Sequence, residues 1–204
     1  MPIAGNGARI GLFGGSFNPP HFGHLNLCDL AFKKLKLDQI WWMVTPGNPL
    51  KDMKGQPSLT DRLQLCHEMV RDPRIQITAF EAQHRVRYTA DTLKIVKKLR
   101  PRQKFVWLMG ADNLANFHKW QNWREIAAMM PIAVIDRPGA TLSYLSAPAS
   151  ITLSRYRIDE EDSPLLSGMK PPAWTFIRGP RSALSSTSLR ERAALGQQQS
   201  VNAD

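Results

Sequence analysis

Short apolar runs alternate along the chain with stretches in which apolar residues recur at helical spacing. The apolar runs predict strands over residues 9–13, 39–45, 75–78, 104–109, 132–135 and 174–177. Helical spacing predicts a first helix with Cys28, Ala31, Phe32 and Leu35 on its inner face. It predicts further helices over 58–70, 89–99, 122–130 and 186–195. Such alternation predicts a parallel sheet with helices on both faces, a doubly wound, Rossmann-like α/β fold.

Two further predicted helices also have a recognisable inner face. The inward residues are Leu59, Leu63, Cys66 and Val70 over 58–70, and Leu93, Val96 and Leu99 over 89–99, where Pro101 marks the end. Cys28 and Cys66 both fall on inner faces, far apart and outside any metal-ligand spacing. They are therefore expected to be reduced, buried thiols rather than a disulfide pair.

The length of the chain fits one domain. With 204 residues it lies below the roughly 250 at which chains tend to divide into several cores. Residues 137–172 are rich in Pro, Ser and Gly and contain an acidic cluster at 159–162, so they predict an irregular insertion. The polar end, 196–204, is expected to fray.

The charge balance favours anionic ligands. Lys and Arg number 27 against 17 Asp and Glu, which gives a net charge of +10 and a surface attractive to nucleotides, nucleic acids or anionic membranes. No apolar run reaches the roughly 18 residues of a membrane span, and the first residues lack the pattern of a signal peptide. A soluble, cytoplasmic protein without a membrane partner is expected.

The most informative segment is GGSFNPPHFGH, residues 14–24, between the first predicted strand and helix. Glycines there let the backbone approach a ligand, and the start of the helix offers amides and a positive dipole end to phosphate. His21 and His24 would share one face of the first helical turn. The two glycines alone could be a tight connection, but paired histidines at the carboxyl end of a strand indicate ligand binding.

Segment 14–24 resembles the HxGH signature of a nucleotidyltransferase superfamily, whereas it lacks the pattern of a dinucleotide fingerprint or a P-loop. SSTSLR at 185–190 is similar to the superfamily's SSTxxR motif, although alone it would be only a good helix N-cap. The resemblance implies catalytic roles for His21, His24 and Arg190. It implies ATP contacts for Gly14, Gly15, Ser16, Phe17, Gly23, Ser185, Ser186 and Thr187.

Two central segments narrow the resemblance to the nicotinate-nucleotide adenylyltransferases. These are GADNLANFHKW at 110–120, similar to GAD…KW, and RYTADTL at 87–93, similar to YTxDTL. The resemblance implies ATP contacts for Gly110 and Asp112, with Asp112 accepting hydrogen bonds from a ribose. It places Trp120 on a pyridine ring, and Tyr88 and Thr89 beside the nicotinate carboxylate. Lys51 is expected either to contact phosphate or to be an ordinary solvated lysine, and Trp123 to pack in the core.

The reaction implied by this resemblance joins ATP and nicotinate mononucleotide to give nicotinate adenine dinucleotide (NaAD) and pyrophosphate. Mg²⁺ would accompany ATP, with no metal ligands assigned to the protein, and Asn18 departs from the Asp that the resemblance leads us to expect at this position. One alternative is another HxGH adenylyltransferase, acting on nicotinamide mononucleotide or pantetheine phosphate. A basic nucleic-acid-binding protein is a further alternative, but it leaves the histidines unexplained, so no nucleic-acid partner is expected.

Overall fold

The computed structural model describes residues 1–47, 57–136 and 146–179. Within these ranges seven strands form one sheet. They are β1 (Arg9–Gly15), β2 (Gln39–Val44), β3 (Ile75–Thr78), β4 (Lys104–Gly110), β5 (Ile132–Ile135), β6 (Arg157–Ile158) and β7 (Trp174–Ile177). All neighbours are parallel, and the spatial order is β3-β2-β1-β4-β5-β7-β6.

The α-helices of the described ranges are α1 (Phe22–Leu35), α2 (Leu59–Met69), α3 (Phe80–Gln83), α4 (Thr89–Leu99), α5 (Ala111–Asn116), α6 (Trp123–Met129) and α7 (Pro148–Thr152). 3₁₀ segments cover Phe117–Lys119, Ser154–Tyr156 and Glu160–Gly168. The start of α2 is set by a capping box, in which Ser58 and Asp61 each accept the other's backbone amide at 3.1 Å. In the described part of the chain, no helix has the length and apolarity that crossing a membrane requires.

Helices cover both faces of the sheet, as the alternating pattern predicts. On one face α1, α2 and the 3₁₀ segment Glu160–Gly168 bury Leu27, Cys28, Cys66 and Leu166 against the strands. On the other face α4, α5 and α6 bury Leu93, Leu114 and Ile126. Successive side chains of a strand point to opposite faces of the sheet, so each strand contributes to the core on both faces. In β2, Trp41 lies in the core beneath α4, α5 and α6, and Trp42 lies in the core beneath α1 and α2.

The element predictions agree closely with the structure. Strands at 75–78, 132–135 and 174–177 and the helix at 89–99 have the predicted bounds, and both cysteines are buried free thiols. The inward placement of Leu99 is wrong, since its side chain is 44% exposed. Steps of three residues fall short of a 3.6-residue turn, so Leu99 is rotated by about 120° from Leu93 around the helix.

The segment predicted as an irregular insertion contains short regular elements where it is described. After α7 and a 3₁₀ turn, β6 extends the sheet by pairing Arg157 with Trp174 and Ile158 with Thr175 of β7. The indole Nε1 of Trp174 donates a hydrogen bond to the Leu153 carbonyl at 2.8 Å, which ties this segment to β7. A two-residue strand has no apolar run of its own, so the sequence pattern does not reveal it.

Candidate active site

A crevice is expected where β1 and β4 part. The β1–β4 ladder ends at Phe13 and Leu108. Beyond it, β1 continues beside β2 to the Gly15–Val44 pair, and β4 continues beside β5 to the Gly110–Ile135 pair. The chain leaves β1 towards one side of the sheet and β4 towards the other, which makes this a topological switch point. Open α/β sheets bind ligands at the carboxyl ends of the strands there.

Gly14 lies at this switch point in close contact with Trp107 of β4. A Cβ atom built on Gly14 would lie 2.7 Å from Cη2 of the Trp107 indole. Any other residue would have to displace a ring buried in a close-packed core. Glycine at this position is therefore required by packing, and it also leaves the edge of the strand open.

His21 and His24 cap the first turn of α1 with their side chains. Nδ1 of His21 accepts a hydrogen bond from the backbone N–H of Gly23 at 3.0 Å, and Nδ1 of His24 accepts one from the N–H of His21 at 3.1 Å. The arrangement is a capping box built from two imidazoles. The backbone amide of Gly23, which is expected to contact ATP, thus donates its hydrogen bond to His21.

These two bonds decide which nitrogen of each ring carries the proton. A neutral imidazole that accepts through Nδ1 carries its hydrogen on Nε2 and is a donor there. Both rings are buried, 3% exposed for His21 and 6% for His24, and their centroids are 3.8 Å apart. The structure thus brings the two predicted histidines together as a fixed pair of Nε2–H donors at the end of β1.

The aromatic ring of Phe17 packs beneath the histidines. It is stacked on Trp42 with centroids 4.5 Å apart, and it lies 4.9 Å from the ring of His24. Phe17 adopts a left-handed backbone conformation, φ 45°, and its side chain is 1% exposed. Phe17 can therefore contact ATP, as the resemblance implies, only through its backbone.

Arg62 of α2 is a site-supporting residue that the sequence interpretation missed. Its guanidinium is buried and donates hydrogen bonds to the carbonyls of Ser16, Thr45, Pro46 and Pro57 at 2.7–3.3 Å. Burial lowers the pKa of this guanidinium below its ordinary value. A signal was present in the sequence, because position 62 falls on the same helical face as Leu59 and Cys66.

Glu81 is a second residue that the sequence interpretation missed. It lies in α3 with its carboxyl group buried, and it accepts a hydrogen bond from the hydroxyl of Thr92 at 3.1 Å. Burial raises the pKa of Glu81, while hydrogen bonds with Thr45 and Thr92 oppose the rise. Glu81 connects the end of β2 to the first turns of α4.

The residues after β4 lie at the same edge of the sheet. Gly110 is the last residue of β4 and is buried, while Asp112 is exposed in the first turn of α5. Trp120 is partly buried, edge-on to the rings of Trp107 at 6.3 Å and Phe117 at 5.5 Å. Trp123 packs in the core, as expected.

Thr89 is the first residue of α4, and Tyr88 before it is extended without a side-chain cap. Because α4 leads back from β3 to β4, its first turn lies at the carboxyl edge of the strands. Tyr88 and Thr89 are both partly buried. The predicted position of these residues beside the ligand edge thus agrees with the topology.

Five predicted site residues lie outside the described ranges. They are Lys51, Ser185, Ser186, Thr187 and Arg190. The predicted helix over 186–195 and the tail also fall there. The described half of the site therefore consists of the histidine pair with Gly14, Gly15 and Ser16, the Gly110–Asp112 connection, Trp120, and the start of α4.

The family match assigns a class to this combination of fold and site. The family described as cytidylyltransferase-like matches residues 12–192. The match includes both the histidine pair and the SSTSLR segment. The fold and the site are thus those of a nucleotidyltransferase of the cytidylyltransferase-like class.

Close relatives identify the family within that class. A protein of Mesorhizobium japonicum named "Probable nicotinate-nucleotide adenylyltransferase" is 59% identical over 193 residues, 95% of this chain and 99% of that protein. A protein of the same name from Brucella suis is 61% identical over 182 residues, 89% of this chain and 94% of that protein. The chain belongs to the nicotinate-nucleotide adenylyltransferase family.

A solved structure supports the fold. Plasmodium falciparum nicotinic acid mononucleotide adenylyltransferase complexed with NaAD superposes with a TM-score of 0.68, covering 90% of this chain and 83% of that one. Sequence identity is only 18%, so the similarity concerns the arrangement of strands and helices. The Rossmann-like prediction is confirmed.

Proposed function

We propose that this protein transfers the adenylyl group of ATP to nicotinate mononucleotide, which yields NaAD and pyrophosphate. The observation that carries the proposal is the His21–His24 capping box, in which both rings accept a backbone amide through Nδ1. A neutral ring held in this way has its donor at Nε2. The names of the close relatives supply the substrate class.

The nucleophile is a phosphate oxygen of the mononucleotide. It forms a new bond to the α-phosphorus of ATP. The bond between the α-phosphorus and the oxygen that bridges it to the β-phosphorus breaks, and its electron pair leaves with pyrophosphate. Because the attacking oxygen is already anionic, no general base is needed. Alignment and stabilisation of the developing negative charge supply the catalysis.

His21 and His24 are proposed to donate hydrogen bonds to the phosphate oxygens through Nε2. Both rings are held by backbone amides before any ligand arrives, so little reorganisation is needed when charge develops. Arg190 and the hydroxyls of Ser185, Ser186 and Thr187 are proposed to bind the same triphosphate. Arginine suits this role because its planar donors match phosphate oxygens.

Mg²⁺ is proposed to enter as part of the ATP substrate. In the described ranges, no three His, Cys, Asp or Glu side chains come together as a metal-ligating group. The imidazole N–H donors of the histidine pair form an anion site and offer no ligand to a magnesium ion. Triphosphate oxygens are suitable ligands, because Mg²⁺ is commonly held by substrate phosphates and water.

The nicotinate end of the mononucleotide is proposed to bind between Trp120 and the start of α4. The first turn of a helix attracts an anion through its amides and dipole, so Thr89 would receive the carboxylate. Trp120 would stack on the pyridine ring and Asp112 would accept hydrogen bonds from a ribose. Tyr88 would border the ring, and Lys51 would contact phosphate.

The cellular setting and domain organisation are part of the same proposal. We place the reaction in the cytoplasm, where ATP is abundant and thiols such as Cys28 and Cys66 stay reduced. The match over residues 12–192 supports a single nucleotidyltransferase domain for the whole chain.

Selectivity for nicotinate mononucleotide tests this function. With ATP and Mg²⁺, kcat/KM for nicotinate mononucleotide should exceed that for nicotinamide mononucleotide by roughly tenfold or more, about 1.4 kcal/mol of transition-state preference. The physical reason is that only nicotinate brings a negative charge to the start of α4. Dinucleotide and pyrophosphate are both measured, with pantetheine phosphate as a third substrate. Equal efficiency with the two mononucleotides, or preference for pantetheine phosphate, contradicts the assignment.

Replacing Trp120 should weaken mononucleotide binding selectively. Trp120→Ala is expected to cost roughly 1 kcal/mol of mononucleotide binding through loss of ring stacking, with much less effect on KM for ATP. Trp123→Ala is the matched control, because this buried indole should contribute to stability and affect both substrates alike. KM values for both substrates are measured in both variants. An effect of Trp120→Ala on ATP alone would show that the pyridine ring lies elsewhere.

A further inference from the structure

Arg62 joins three chain segments that meet beneath the proposed ATP site. Its Nη1 donates to the carbonyl of Ser16 at 2.7 Å, in the turn after β1, and to that of Thr45 at 2.8 Å, after β2. Nη2 donates to Pro46 at 3.3 Å, and Nε donates to Pro57 at 3.3 Å, just before α2. One side chain thus holds the carboxyl ends of two neighbouring strands against the start of a helix.

The setting of Arg62 is unusual for a cation. Its side chain is 1% exposed, and no carboxylate forms an ion pair with it in the described part of the chain. Within the described ranges its hydrogen-bond partners are four backbone carbonyls, so peptide dipoles stabilise the guanidinium there. Burying a charge without a counter-charge is costly unless its hydrogen bonds are satisfied, which sets this residue apart from an ordinary packing residue.

We propose that Arg62 is a positioning residue that preorganises the turn after β1 for ATP. The bond to Ser16 fixes the turn that directly follows Gly15, the last residue of β1. The bonds to Thr45 and Pro46 fix the neighbouring strand end. A further bond, from the amide of Thr45 to the carbonyl of Gly15 at 3.0 Å, makes the two strand ends one unit. The inference rests on the proposed function, together with the ATP contacts that the resemblance implies for Gly14, Gly15 and Ser16.

The position of Arg62 predicts which substrate depends on it. Arg62 belongs to α2, which packs on the same face of the sheet as α1 and its histidine pair. The helices proposed to bind the mononucleotide, α4 and α5, pack on the opposite face. Loss of the four hydrogen bonds should therefore affect ATP and leave the mononucleotide site largely unchanged.

Two substitutions at this position provide the kinetic test. Arg62→Met keeps much of the side-chain volume and removes every donor, while Arg62→Lys keeps the charge with a different donor geometry. Arg62→Met should raise KM for ATP by roughly tenfold, with KM for nicotinate mononucleotide changed less than about twofold, and Arg62→Lys should lie between it and the wild type. Unchanged constants in a folded variant, or equal increases for both substrates, would overturn the proposal.

Arg9→Met is the matched control. Arg9 lies at the amino end of β1 and bonds to the carboxylate of Asp38 at 3.0 Å, so it also joins two segments, but far from the crevice. Its replacement should leave both KM values unchanged. ATP affinity measured by calorimetry in all variants needs no turnover. A wild-type protein that does not synthesise NaAD would contradict the proposed function, whereas unchanged ATP affinity in the Arg62 variants would contradict the positioning role.

Hydrogen exchange in the wild-type protein tests preorganisation even if both Arg62 variants fail to fold. If Arg62 holds the turn before ATP binds, exchange of the Thr45 amide should slow by less than about threefold when a non-hydrolysable ATP analogue is added. A larger increase in protection would mean that ATP itself orders the turn, and would overturn the proposal.

Discussion

Removing either histidine of the capping box should lower kcat by roughly a hundredfold or more. His21→Ala and His24→Ala each delete a fixed donor to the transferring phosphate, and such a donor is worth about 3 kcal/mol in the transition state. The substitutions also remove one half of the cap of α1. Loss of a cap costs typically about 1 kcal/mol of unfolding free energy, so stability must be measured beside kcat.

Two further variants separate catalysis from capping. His21→Asn supplies a good N-cap acceptor, and His24→Gln supplies a side chain suited to the third helical position of a capping box. Both should retain near wild-type unfolding free energy and still show the loss of kcat, because neither presents an imidazole Nε2–H to the crevice. Near-normal kcat in a folded alanine variant would show that the pair only caps the helix.

Replacing Trp42 should lower the free energy of unfolding more than any of the other substitutions named above. This side chain is fully buried, stacks on Phe17 at 4.5 Å, and donates its indole N–H to Sγ of Cys28 at 3.0 Å. Trp42→Ala is expected to lower the free energy of unfolding by about 3–5 kcal/mol, since truncating a buried aromatic residue leaves a cavity. Equilibrium unfolding in urea measures the change.

Phe22→Ala is the control for that measurement. Phe22 is in the first turn of α1, close in sequence to the same site, but its ring is 65% exposed. Its truncation should change the unfolding free energy by less than about 0.5 kcal/mol. A loss below about 1 kcal/mol for Trp42→Ala would mean that the aromatic cluster beneath the histidines contributes little to the core.

Element positions could be predicted from sequence because their signals are local. β4 is a continuous apolar run with residues 105–109 all buried, which is typical of a strand covered on both faces. The start of α2 is marked by Ser58 and Asp61, and the end of α4 by Pro101. β6 escaped prediction because two residues carry no periodicity, and Leu99 was misplaced because the phase of the inner face drifts along a helix.

The candidate site also contains residues that the sequence predicted and residues that it did not. Segment 14–24 was predicted from a pair of histidines that few structural roles require, and segments 87–93 and 110–120 from their resemblance to family motifs. The order of strands and helices places these three described segments at one edge of the sheet. Phe17 was predicted to contact ATP, but its ring is buried in the core, so only its backbone is available for such a contact. Arg62 was not predicted, because charged residues within helical patterns are usually solvated. Glu81 was not predicted, because it lies in a four-residue helix that the sequence pattern does not reveal.

The sequence by itself determined the alternation of strands and helices, the class of fold, and the segments expected to carry nucleotidyl-transfer chemistry. These depend on local periodicity and on residue types that lie close together along the chain. Only the tertiary structure decided how the β1 and β4 ends part, which imidazole nitrogen of His21 and His24 donates, and which carbonyls Arg62 holds. Those features arise from hydrogen bonds and packing whose directions are set by the folded backbone. In the case of Arg62, three of the four partners, Ser16, Thr45 and Pro46, lie 16 to 46 residues away along the chain.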